Sequence, residues 1–103
     1  MDQVSASVAH REWQEQLTAM AAQHGPGWES QYAPGSFGCH ELLDRANLIG
    51  DLVEGQVLGH PACVLRADWY QLAARAVEAL RELYQCVGSE HLAAEASDSQ
   101  EAL

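Results

Sequence analysis

Two amphipathic stretches of nearly equal length, parted by Gly59-His60-Pro61, constrain this chain more than any other feature. At the turn angle of an α-helix, Cys39, Leu42, Ala46, Ile49, Val53 and Val57 fall on one face of the first stretch, and Asp44, Asn47, Asp51 and Glu54 on the other. In the second, an apolar arc from Trp69 through Ala73, Val77, Leu80 and Tyr84 to Val87 spans almost half the circumference. The periodicity predicts helices over 37–58 and 67–87, each roughly 30 Å long at 1.5 Å per residue. The short connection forces them antiparallel, so the start of one lies beside the end of the other. Ser36 is placed to cap the first helix; the second can begin at Asp68, with Gln71 in the capping-box position, or a residue or two earlier. Gly88 is the expected stop; Ser89 would cap a short turn, followed by a frayed acidic tail to Leu103.

An arc that broad needs more than one neighbour. Leu48 and Leu52 form a further apolar strip on the first stretch, which calls for another helix or a second subunit. Gly50 and Gly55 each cost about 1 kcal/mol of helix propensity relative to Ala, and close approach of a neighbouring backbone would explain both. Upstream, residues 5–24 carry Ala6, Ala9, Trp13, Leu17 and Met20 at helical spacing, ending at Gly25-Pro26-Gly27. Residues 25–36 read as an ordered loop whose Trp28 and Tyr32 pack. The expected architecture is all-α: a single domain of 103 residues, with an antiparallel helical hairpin (37–88) and an N-terminal helix forming a small three-helix bundle able to dimerise.

Composition narrows the partners. Fifteen acidic residues against five basic ones give a net charge of −10, and the basic residues are Arg11, Arg45, Arg66, Arg75 and Arg81. Scattered in this way, they make no patch for nucleic-acid phosphates or an anionic membrane. No apolar run approaches the ~20 residues of a membrane span, and Met1-Asp2-Gln3 does not begin a signal peptide, so the expected location is cytoplasmic. Cys39, Cys63 and Cys86 are an odd number without framework spacing, which suits reduced thiols.

Cys39-His40 and His60-x-x-Cys63 look like a ligand set, but the two pairs sit at opposite ends of a helix roughly 30 Å long and cannot share one ion. Hairpin closure instead gathers Cys39, His40, Cys86 and His91 at one end. Those four are a candidate zinc site, or a reactive-thiol site with Cys39 in the first helical turn, set against two small buried cysteines and two histidines that lie on the surface or cap helix ends. His60 reads as a helix-terminating residue whose imidazole meets the last carbonyls, with Cys63 buried in the turn and His10 and His24 facing solvent. Glu41 and Arg45 form an ordinary i,i+4 pair. A phosphate loop, a nucleophile elbow and a di-iron signature are all absent, which disfavours an enzyme.

The run Pro34-Gly35-Ser36-Phe37-Gly38-Cys39-His40-Glu41, then His60-Pro61-Ala62, then Glu82-Leu83-Tyr84-Gln85 and Gly88-Ser89-Glu90-His91-Leu92 resembles a group of short uncharacterised proteobacterial proteins sharing P-G-x-F-G-C-H-E, H-P-A and E-L-Y-Q-x-x-G-x-E-H-L. The resemblance covers residues 32–92. It supports the helix boundaries and implies no activity; where the shared pattern has Asn-Pro-Glu, this chain has Arg66-Ala67-Asp68.

The expected function is therefore non-catalytic. An acidic helical module would bind a protein partner through Leu48, Leu52, Asp44, Asp51, Glu54, Trp13 and Leu17, alone or as a homodimer. Small acidic helical proteins of mobile elements often occupy the basic nucleic-acid-binding surface of a larger complex, which makes a bacterial anti-defence inhibitor of the anti-CRISPR kind the concrete form of that expectation. The alternatives are the metal or thiol protein and a structural subunit of an assembly.

Overall fold

The computed structural model describes residues 2–101, with side chains for residues 7–96. Four α-helices account for most of it: α1 (Asp2–His24), α2 (Phe37–Val53), a single-turn α3 (Pro61–Val64) and α4 (Ala67–Glu101). A 3₁₀ turn, Trp28–Gln31, and a π turn, Glu54–Leu58, complete the helical structure, with no strand among the described residues. By internal contacts the chain divides into two compact units, Met1–Ser30 and Gln31–Leu103, where a single domain is expected from its length.

In the first unit, α1 ends as its sequence predicts, with Gly25 at φ +85° and its N–H donating to the Ala21 carbonyl at 3.0 Å. Trp13, Leu17 and Met20 are exposed along it, and the His10 ring lies 5.3 Å from that of Trp13. Ala6, at the head of this stripe, lies outside the described side chains.

The second unit is organised by α2 and α4. Leu43 lies against Gly88, Gly50 against Leu80 and Arg81, and His40 beside His91, so rising numbers on one helix meet falling numbers on the other. Ser36 caps α2 as its sequence predicts: its hydroxyl oxygen accepts from the Cys39 N–H at 3.1 Å. Ser36→Ala is expected to cost about 1 kcal/mol, read as a lowered thermal midpoint. An unchanged midpoint would show that water serves the Cys39 N–H equally well.

Packing turns α2 slightly away from the face its periodicity predicts. Cys39, Ala46 and Gly50 are buried and Leu43 and Val53 partly so, whereas Leu42 and Ile49 remain half-exposed. The cause is Gly50: a Cβ there would meet Arg81 Nη1 at 3.0 Å and Leu80 Cβ at 3.7 Å, so α4 crosses over the missing side chain and draws the contact line towards it. Gly55 has no such role, since a Cβ on it would meet nothing within 4 Å. It sits in the π turn, where the Gly59 N–H donates to the Glu54 carbonyl at 3.0 Å.

Two local expectations, at His60 and Gly88, are corrected. His60 does not meet the carbonyls of the preceding helix; its Nδ1 accepts from the Ala62 N–H at 3.0 Å and caps α3, with Pro61 in the first turn where its missing N–H costs nothing. Helix α4 starts at Ala67, within the expected range; the Asp68 carboxylate takes a two-point fork from Arg66 at 2.9 and 3.2 Å, while the guanidinium lies 4.5 Å over the Trp69 ring. Gly88 is no stop, because α4 runs through it to Glu101. Gly88 adopts no left-handed conformation, and a Cβ there would stand 3.5 Å from Leu43 Cδ1, so the glycine serves the helix contact. Of the expected frayed tail, residues 89–101 are helical; the side chains from Ser97 onward and residues 102–103 lie outside the description.

Candidate functional site

The two-helix layer has two unlike faces. On one, Arg81 reaches from α4 across to α2: its Nη2 donates to Asp51 Oδ1 at 2.6 Å and to Glu54 Oε2 at 2.9 Å, and Nη1 lies 3.5 Å from Asn47 Oδ1. The space over Gly50 admits the guanidinium. Asp51 first, and then Glu54, hold Arg81 further above its already high pKa, so it stays charged wherever the protein is folded. Helical spacing puts Glu78 on the same side of α4 and Asp44 on the same side of α2, with Glu82 pointing outward from the layer, so acids outnumber the one arginine there.

The opposite face is apolar. Leu42, Ile49 and Leu52 of α2 and Trp69, Leu72 and Leu83 of α4 each keep 42–60% of their surface exposed. Two shallow grooves run along it. One, of about 360 Å³, lies between Val57, Trp69, Leu72 and Ala73; the other, of about 270 Å³, between Cys39, Leu42, Cys86 and Val87.

At the Ser36 end, His91 is the most buried polar residue described, 3% exposed. Its Nδ1 accepts from the Gly35 N–H at 2.9 Å, which ties the loop ahead of α2 to α4. An accepting Nδ1 leaves the proton on Nε2, which stands 3.2 Å from Glu95 Oε1 without the alignment of a hydrogen bond. The His40 ring is 5.7 Å from that of His91, and His40 Nε2 is 3.4 Å from Asp44 Oδ2.

Of the four expected ligands, Cys39 and Cys86 thus line one groove and His40 and His91 face each other, but Cys39 is buried and Cys86 exposed. One His91 nitrogen is already committed to Gly35. No group of three or more His, Cys, Asp or Glu among the described residues converges as a metal would require.

The expected interface residues also separate. Leu48, 58% exposed, points away from the apolar face and Leu52 lies at its rim. Asp51 and Glu54 are partly neutralised by Arg81, and Trp13 and Leu17 belong to the other unit. Sequence reading missed Arg81, Gly38 and the acceptor role of His91. The first was discoverable, since Asn47, Asp51 and Glu54 form a polar flank facing the only basic residue of α4 at that level.

No protein-family model matches the chain, and no curated protein or solved structure matches it. No helix among the described residues is long and apolar enough to cross a membrane.

Proposed function

We propose that this chain is a non-catalytic acidic binding protein that acts by occupying a basic surface on a protein partner. An inhibitor seated on the nucleic-acid-binding surface of a bacterial defence complex is its concrete form. The observation that carries this reading is where the cations go. Of five arginines, Arg45 is paired with Glu41 at 3.1 Å, Arg66 with Asp68 at 2.9 Å, and Arg81 with both Asp51 and Glu54. The Arg66 fork also holds Asp68 below the usual carboxylate range. Three of the five arginines are thus paired with acids of the same chain, and the net charge of −10 steers association with a positively charged surface.

The test is capture of partners from a bacterial lysate on the intact protein, with a salt wash and with the triple variant Asp44→Asn, Glu78→Gln, Glu82→Gln alongside. A basic partner released by salt is expected, associating about 10-fold more slowly with the variant. Recovery of no partner, or equal capture by both proteins at every ionic strength, would sink the reading.

A further inference from the structure

We propose that the apolar face of the α2–α4 layer is the docking surface for a second copy of this chain, the two layers closing face to face into a four-helix core. The inference goes beyond the acidic-binding reading and concerns the opposite face of the layer.

Helices α2 and α4 form a single layer, and one layer cannot enclose a core. The buried apolar residues described are Cys39, Ala46, Ala73 and Val77, all small, and among the described residues no large side chain is fully enclosed. The large ones, Leu42, Ile49, Leu52, Trp69, Leu72 and Leu83, stand outside that contact line on one side. At their observed exposure they offer on the order of 600 Å² of side-chain surface, and the groove walls add to it, against about 800 Å² per partner in an interface of standard size.

Charge selects the occupant. Glu41, Arg45 and Glu90 edge this face, and Arg45 and Glu41 already neutralise each other. The acids Asp44, Asp51, Glu54 and Glu78 lie on the far side of the layer, and Glu82 points away from α2. Two copies, each of charge −10, can therefore meet across this face without opposing their acid clusters, whereas the basic partner proposed above is drawn to the other face. A two-fold interface uses the same patch twice, so one self-complementary apolar face suffices. The product is an antiparallel four-helix arrangement with the acidic faces outward.

Sedimentation equilibrium of the full chain over about two decades of concentration tests this. The expected wild-type mass is twice that of the chain, falling on dilution. Ile49→Glu and Leu72→Glu should each weaken the dimer by about 100-fold or more with helical circular dichroism retained, while Leu48→Glu, off the face, should leave it intact. A wild type that is monomeric throughout would overturn the proposal and hand the face to α1 or to another protein. So would a dimer that survives in folded Ile49→Glu and Leu72→Glu. If either variant unfolds, the wild-type mass and the second variant still decide. A monomeric wild type that still captures a basic partner through its acids would defeat the dimer alone.

Discussion

Gly38→Ala is expected to lower the thermal midpoint by about 10 °C. A Cβ on Gly38, in the first turn of α2, would collide with the Tyr32 ring and the Gln31 carbonyl oxygen. A side chain can swing aside; a backbone carbonyl moves only if the loop moves, and this loop is held by the Ser36 N–H to the Ala33 carbonyl at 3.0 Å and by Gly35 to His91. Forcing atoms into a packed site costs about 3 kcal/mol at the upper end, of which alanine's better helix propensity returns about 1 kcal/mol. The net, about 2 kcal/mol, converts at about 4–8 °C per kcal/mol for a domain of this size. Gly55→Ala is the control: its Cβ meets nothing within 4 Å, so the midpoint should hold or rise. A Gly38→Ala protein melting with or above the wild type would mean that the loop does not lie over the start of α2.

The second large effect is expected at His91. His91→Leu preserves bulk but leaves the Gly35 N–H without an acceptor in a part-buried setting, at a cost of about 1–3 kcal/mol for the orphaned donor. His91→Asn keeps an acceptor oxygen near the position of Nδ1 and should recover part of that loss, although it removes the ring from beside His40. The readout that separates a hydrogen bond from mere packing is amide exchange at Gly35: protected in the wild type, partly protected in the asparagine variant and fast in the leucine variant. Equal protection in all three would remove His91 as the loop's anchor.

Periodicity made the helices legible because burial along a helix repeats every turn, and the Ser36 cap was legible because it needs only its own neighbours. What escaped were features decided by the opposite helix. Gly88 carries the same residue type as a helix stop, and only Leu43 across the interface shows that it serves contact instead. Leu42 and Leu43 are indistinguishable by propensity; the space over Gly50 decides which turns inward. Asp51 and Glu54 looked like a solvated acidic stripe because nothing local announces that Arg81, 30 and 27 positions away, returns to meet them. Of the four-residue Cys/His set, His40 lies beside His91 and Cys39 shares a groove with Cys86. Closure does not fix side-chain direction, however, and that direction gave His91 to a backbone amide and left Cys86 at the surface.

The bond from Gly35 to His91 joins positions 56 apart in the chain. A ribosome therefore releases the loop and the whole of α2 long before the imidazole that anchors them has been made. Until then the loop has only its local turn and the Ser36 cap. The loop before α2, first of the pair to be synthesised, is consequently anchored only by the last third of α4. A chain cut short after Gly88 would keep the contacts over Gly50 and Gly88 and yet lose the anchor of a segment more than fifty residues upstream of the cut.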